Sequence, residues 1–319
     1  MTYQKITRWL GSRRCFQLIV GLLVVQAVWI ALSGRYPMAF DEDFHLGIIR
    51  LYAHHLLPFW SSQPVGGDAY GAVARDPSYL YHYLMSFPYW LISQFTHDTT
   101  IQVLILRFIN IGLFASGLVL FRRLLTRTFA SPALLNLSCL IFILIPITPL
   151  LAAQINYDNL LLPLMALSLG LTLRFTDEVR AHKRINGRLL LSLLSLCLLA
   201  SLVKFAFLPV FLAILIYLGV ELRQAFPKAR KFWLSLGFGL TTMTRATRRG
   251  LLLLVVIAAV LFGERYGINL VRYHTPLPGC NKVLSVQQCS HYGPWIRDYN
   301  ASLANVHGPR SPITFTADW

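Results

Sequence analysis

Seven long apolar runs, most of them closed by arginine or lysine, restrict what this chain can fold into more than any other feature. They cover about residues 16–34, 101–121, 131–153, 159–175, 189–203, 207–222 and 250–264. Roughly 20 apolar residues suffice for a helix to cross the hydrocarbon of a bilayer. Inside lipid each backbone N–H and C=O must be satisfied within its own segment, so such runs predict helices. The expected fold is therefore all-α: a polytopic transmembrane bundle of about seven spans, with a long first outer loop over 35–100.

Composition agrees. The chain has 319 residues, 55% hydrophobic and 13% charged, with a mean hydropathy of +0.55. A soluble domain would carry about 25% charged residues. The net charge of +16 raises nucleic acid as a partner. The basic residues argue against it, because they gather at the ends of apolar runs as they do in cytoplasmic loops. The expected partner is the lipid bilayer, in a cell membrane.

Basic residues also set the expected orientation. Lys5, Arg8, Arg13 and Arg14 precede the first run, which is too long for a cleavable signal core and is read as a retained anchor. Arg122, Arg123 and Arg127 follow the second run. Arg180, Lys183, Arg184 and Arg188 lie between the fourth and fifth, and Arg223 to Arg249 between the sixth and seventh. This pattern predicts a cytoplasmic N-terminus and an extracytoplasmic C-terminus. The domain reading is a transmembrane unit over 1–264 and an extracytoplasmic tail over 265–319. Residues 232–243 are weakly apolar and read either as an interfacial helix or as an extra span, which would reverse the tail. Cys15, Cys139 and Cys197 fit as small buried residues in or beside apolar runs. Cys280 and Cys289 lie in the polar tail and can pair if it is outside the cytoplasm.

The chemistry concentrates just after the first span, in YPMAFDEDFHLGIIRLYAHHLLP over 36–58. Asp41, Glu42, Asp43 and His45 fall within five residues. An acidic cluster there has two readings. It is a solvated helix start, with Asp41 capping a helix over 43–57. Or one carboxylate accepts a proton from an attacking hydroxyl, or holds a divalent metal. Asp41 and His45 are four apart and would share a helix face. Further on, the aromatic stretch 78–95 reads as an interfacial helix. Asp158 sits in a short turn, either as a cap residue or as a second acidic site. Arg107 and Lys204 either snorkel to the interface or bind the phosphate of a lipid substrate. In the tail Tyr292, Trp295 and Tyr299, with His291 and Arg297, fit an interfacial belt or a sugar-stacking surface. Asn300-Ala301-Ser302 matches a glycosylation acceptor.

These residues carry a resemblance. PMAFDEDFHLG after the first span is similar to the Pro-x-x-x-Asp-Glu-x-x-His pattern of the glycosyltransferase C superfamily, the polytopic lipid-linked-sugar-dependent glycosyltransferases that include protein O-mannosyltransferases and lipid A aminoarabinose transferases. Asp76-Pro77-Ser78-Tyr79-Leu80-Tyr81 stands where those proteins carry a Pro-Pro-Leu-Tyr-Tyr-like stretch. Asn156-Tyr157-Asp158-Asn159 resembles their second acidic loop, and Lys204 falls at the following outer turn. The resemblance covers roughly residues 1–225. It implies Asp41 as the catalytic carboxylate with Glu42 supporting it, and Asp158 shaping the acceptor or metal site. It implies Lys204 on the donor phosphate, with Asp43, His45, Arg107, Tyr79 and Tyr81 completing the substrate-binding set. Family members run well beyond 319 residues, which implies a truncated or reduced member. The expected activity is transfer of a sugar from a polyprenyl-phosphate donor to an acceptor on the outer face. The alternatives are a transporter or lipid-handling protein, and a non-catalytic relative that keeps the fold.

Overall fold

The computed structural model describes residues 3–38 and 41–303. Ala39 and Phe40 of the acidic motif, and the chain from 304 to Trp319, lie outside the described residues. Among the described residues all regular secondary structure is helical. The protein is an all-α polytopic membrane protein.

The chain opens with α1 (Tyr3–Leu10) and the long α2 (Arg13–Ser33), capped by Ser12, whose hydroxyl accepts the Cys15 N–H. Two shorter helices follow, α3 (Glu42–Ala53) and α4 (Leu80–Ser93), in place of the stretches expected over 43–57 and 78–95. Next come α5 (Thr99–Leu125), α6 (Pro132–Leu144), α7 (Ile147–Ala152), α8 (Asp158–His182), α9 (Gly187–Val203) and α10 (Leu208–Ala225). The set closes with α11 (Ala229–Thr241), α12 (Arg245–Phe262), α13 (Ile268–Tyr273), α14 (Cys280–Val283), α15 (Val286–Cys289) and α16 (Gly293–Leu303).

Five stretches are long and apolar enough to cross a membrane: Arg13–Ser33, Thr99–Leu125, Asp158–His182, Phe205–Ala225 and Arg245–Tyr273. The other two expected spans are shorter helices. α9 holds 17 residues. The run 131–153 is broken into α6 and α7, because Ile145 precedes Pro146 and takes an extended ψ of 120°. A residue before proline is driven out of the helical region by the ring. α11, in the ambiguous 232–243 region, has 13 residues, about 20 Å of helix, too short to cross a core of about 30 Å unaided. It lies against the α8–α9 connection, where Ser235 Oγ accepts the Ile185 N–H.

The chain divides into two compact units, Met1–Leu56 with Pro77–Glu264, and Leu57–Asp76 with Arg265 to the end. Residues 57–76 of the first loop therefore group with the tail.

The first unit is a bundle centred on α5, which packs on α8 and α2. Large apolar side chains such as Leu18, Val25 and Trp29 on α2, and Leu212 and Ile216 on α10, remain exposed. In water so much apolar surface would drive association. In a bilayer it is what lipid covers. Buried hydroxyls are satisfied locally: Ser168, Thr172, Thr176, Ser195 and Ser201 each donate to the carbonyl four residues earlier, as spans in lipid require.

The second unit is held by buried polar groups that serve as ties between its two segments. Arg265 is fully buried and donates to the carbonyls of Ala74 and Pro58. Asn269 Nδ2 reaches Arg75 O at 2.9 Å and Pro276 O at 3.2 Å. Cys280 and Cys289 form a disulfide with a Cα–Cα distance of 5.8 Å. Gly71 has φ +78°, and a Cβ there would stand 3.0 Å from the Tyr292 ring. Trp295 and Tyr299 stack on each other at 4.7 Å between centroids.

Close helix approach in membranes uses small residues. A Cβ on Gly117 of α5 would meet Leu162 of α8 at 2.7 Å, whereas one on Gly112 meets nothing within 4 Å. Gly117→Val should cost about 1–3 kcal/mol by overpacking, and Gly112→Ala should be neutral or slightly stabilising. Thermal unfolding of the two variants in detergent measures this contrast.

Candidate functional site

One end of the bundle gathers nearly all the residues that the sequence singles out. The α3 helix begins there because Glu42 reaches into the bundle. Its carboxylate accepts from Arg107 Nε and Nη2, both at 2.8 Å, from Met38 N at 2.8 Å and from Ile155 N at 3.3 Å. Arg107 Nη1 donates to Ala31 O at 2.9 Å and Gly34 O at 2.8 Å. Glu42 is 0% exposed and Arg107 3%. This planar, bidentate pair is geometry that arginine provides and lysine does not. It ties together the end of α2, the start of α3, α5 and the turn after α7. Neither reading of Arg107 from the sequence describes it: every nitrogen of its guanidinium is engaged inside the protein, so it neither snorkels nor stands free for a phosphate.

Asp41 occupies the position before α3 with φ 53° and ψ 14°, a left-handed conformation. Its carbonyl accepts the His45 N–H, but its side chain makes no capping hydrogen bond. Asp41 is exposed, and among the described residues its carboxylate has no partner. Aspartate tolerates left-handed backbone better than most residues. The solvated-cap reading therefore accounts for its position and not for its side chain. Asp43 is also exposed and accepts the Tyr36 hydroxyl at 2.6 Å. Burial, together with that carboxylate, pushes the Tyr36 hydroxyl above its ordinary pKa.

The side chain of His45 turns inward. Its Nδ1 lies 2.8 Å from Nε2 of His82 on α4, so it pairs with a second histidine and not with Asp41. The spacing of four did not bring Asp41 and His45 together because Asp41 stands outside the helix. The two imidazoles stack 5.1 Å apart, and Tyr157 meets His45 edge-on at 4.6 Å. Burial holds His45 well below its ordinary pKa, with His82 and Lys204 adding to the effect; burial pushes His82 down to about 3. Both rings are neutral at pH 7, so one donates the shared proton and the other accepts it.

Beside Tyr157 lies the second charged pair. Lys204, which ends α9, donates to both carboxylate oxygens of Asp158, at 2.8 and 2.9 Å, and sits 4.4 Å over the Tyr157 ring. The lysine side chain is 22% exposed and the aspartate 39%, so the pair is reachable from solvent. The cap of α8 comes from Asn156, whose Oδ1 accepts the Asp158 N–H at 2.8 Å, leaving the Asp158 carboxylate for Lys204.

An amide network supports this turn. Asn110 Oδ1 accepts from the Tyr81 hydroxyl at 2.8 Å, Asn159 Nδ2 at 3.0 Å and Asn156 N at 3.3 Å. Tyr81 is thus a buried support. Tyr79 is buried as well, 6.4 Å ring to ring from Tyr52. The residues that sequence reasoning passed over are His82, which stood in an aromatic stretch read only as interfacial, and Asn110, a lone amide in an apolar run. For Asn110 a polar side chain inside a long apolar run was the available signal. Among the described residues no group of three or more His, Cys, Asp or Glu side chains is placed to hold a metal ion.

The site thus offers an unpartnered exposed carboxylate at Asp41, a solvent-reachable ammonium–carboxylate pair and a buried neutral imidazole pair, on elements fixed by Glu42 and Arg107. Comparison of the chain with protein-family models, curated proteins and solved structures finds no match.

Two outcomes follow from the geometry. Glu42→Gln leaves the buried Arg107 charge without its counter-ion and should cost about 3–5 kcal/mol; a double-mutant cycle with Arg107→Met, read by thermal unfolding, should give a strong coupling between the two positions. The lowered histidine pKa values give a pH dependence of definite sign. Below about pH 6.5 the unfolded chain protonates these imidazoles and the folded protein does not, so stability falls as pH falls toward 3. His82→Gln should flatten that acid limb in melting temperatures recorded from pH 7.5 to 4.5.

Proposed function

We propose that this protein is a membrane glycosyltransferase that moves a sugar from a polyprenyl-phosphate donor to a hydroxyl acceptor. The observation that carries this reading is the Asp41 side chain. It stands exposed, without a partner among the described residues, on a left-handed backbone one residue from a carboxylate fully bound within the protein. A non-glycine residue in this conformation whose side chain makes no capping hydrogen bond favours a functional role. The motif resemblance stated above points to the same residue.

In this reading Asp41 takes the proton of the acceptor hydroxyl as its oxygen attacks the anomeric carbon. The new C–O bond forms as the bond to the lipid phosphate breaks, and the phosphate leaves with the electron pair and with inversion at carbon. Lys204 faces the charge that develops on the leaving phosphate. Asp158 holds the ammonium in place, so that the cation is oriented before the donor arrives. The exposed apolar flanks of the spans suit a donor entering from the bilayer, and the active end faces outward, in line with the distribution of basic residues.

Purified protein offered a panel of synthetic polyprenyl-phosphate sugars should transfer or hydrolyse one of them. Asp41→Asn should lower turnover by a factor of about 10² to 10⁴, the range for a general base, with melting temperature unchanged because the side chain has no hydrogen-bond partner among the described residues. Full activity in Asp41→Asn would remove the proposed base. Transport of a solute by reconstituted vesicles, without sugar transfer, would favour the transporter reading instead.

A further inference from the structure

The opposite end of the bundle holds a cavity that the proposed reaction does not use. It is about 270 Å³ in volume and lies between the C-terminal end of α5 and the middle of α8. Its rim carries three guanidinium-bearing residues, Arg123 and Arg127 from α5 and the residues just after it, and Arg174 from α8. Its floor is apolar, made by Leu120 and Leu124 of α5 and by Leu167 of α8, with Gly170 opening it further. A Cβ at Gly170 would meet nothing within 4 Å.

The sequence spacing produces this slot. On α5 Leu120 lies three residues before Arg123 and four before Leu124, which places the three on one face, and Arg127 follows just past the helix end. On α8 Leu167, Gly170 and Arg174 do the same. Both helices begin at the Asp41 end and run in the same direction, so Leu120 precedes Arg123 on α5 as Leu167 precedes Arg174 on α8. Arg127 has one partner, Asp177, at 3.2 Å in an exposed pair. Among the described residues the guanidiniums of Arg123 and Arg174 have no hydrogen-bond or ion-pair partner. Three arginines lining one cavity against one paired carboxylate leave an excess positive charge there, and an anion would relieve the repulsion.

We propose that this slot binds a membrane phospholipid with a net anionic headgroup. Its phosphate is held by Arg123 and Arg174, and an acyl chain lies along the Leu120, Leu124 and Leu167 floor. Guanidinium forks match phosphate oxygens, and basic pockets between spans recognise anionic lipid headgroups in this way. The apolar floor favours a lipid over free phosphate, which would leave the slot's inner half unfilled. The inference is independent of the glycosyltransferase reading.

Native mass spectrometry of the purified protein in mild detergent tests it, with dioleoyl phosphatidylglycerol, dioleoyl phosphatidylcholine and inorganic phosphate as separate probes. The wild type should retain phosphatidylglycerol in preference to phosphatidylcholine and bind no inorganic phosphate. An R123Q/R174Q variant should bind phosphatidylglycerol on the order of 30-fold more weakly, from about 1 kcal/mol for each cation removed. Gly170→Leu fills the floor while keeping all three arginines, and should also weaken lipid retention. R248Q/R249Q, at the start of α12, removes the same charge elsewhere in the bundle and should leave binding unchanged. Equal retention of the two lipids, an equal loss in R248Q/R249Q, or retention of inorganic phosphate alone would overturn the proposal. Because the altered arginines are exposed, circular dichroism and elution volume should match wild type, and Gly170→Leu provides a second, charge-neutral arm.

Discussion

The bidentate contact between Glu42 and Arg107 is the interaction on which the candidate site depends. A carboxylate and a guanidinium at 0% and 3% exposure are costly to desolvate. Such a pair contributes little net stability compared with an apolar replacement. What it contributes is register. Arg107 is fixed on α5, and its remaining nitrogen closes on the carbonyls of Ala31 and Gly34, where α2 ends. Glu42 meanwhile accepts the N–H of Ile155 in the turn that leads into α8. One ion pair therefore sets where α2 stops, where α3 starts and where Asp158 begins its helix. Asp41 and Asp158 are 117 residues apart in the chain (158 − 41), and they belong to elements joined through a single carboxylate.

The two ends of the bundle use charge differently. At the Asp41 end charges are few and buried or specifically paired, with Asp41 and Asp43 exposed among them. At the other end the pairs are mixed: Arg127 with Asp177 is exposed, Arg180 holds the buried Glu221 carboxylate through two nitrogens, and Arg122 makes amide and ring contacts. Arg122 Nε donates to Asn136 Oδ1 at 2.8 Å and its guanidinium lies 4.5 Å from the Phe16 ring centroid. Exposed cations at this end remain available to ligands and lipid headgroups, while those at the first end are fixed in place. A protein that must bind a bilayer generally and a substrate specifically needs both arrangements.

The helical class and the apolar segments were legible in the sequence because a membrane imposes one rule on every span, and composition reports it directly. Ile145 shows where legibility ended within a span: the run 131–153 looks continuous by hydropathy, but Pro146 disfavours helical backbone at the residue before it, and Ile145 is extended. In the site, proximity along the chain was informative for Asp41, Glu42 and Asp43, and misleading for Asp41 with His45. A spacing of four means a shared face only inside a helix, and Asp41 lies just outside one. The roles of Arg107, His82 and Asn110 were not legible, because each is defined by a partner more than 25 residues away: Glu42, His45 and Tyr81. Hydropathy and motif spacing carry no term for such pairings.

The histidine pair shows how burial and charge combine to keep a polar site uncharged. Lys204 lies on the far side of Tyr157, and its cation disfavours a second positive charge on His45. Asp158 compensates Lys204 directly, so the neutral imidazoles face a pair with no net charge. Among the described residues at this end Asp41, Asp43 and Asp98 are exposed carboxylates; Asp43 is bonded to the Tyr36 hydroxyl, and Asp98 caps α5 by accepting the Thr100 N–H. Among the described residues this leaves Asp41 as the exposed carboxylate at this surface with no hydrogen-bond partner. A site built to accept a proton from a neutral hydroxyl needs that property, because a second free carboxylate or an imidazolium close by would shift the pKa of the first.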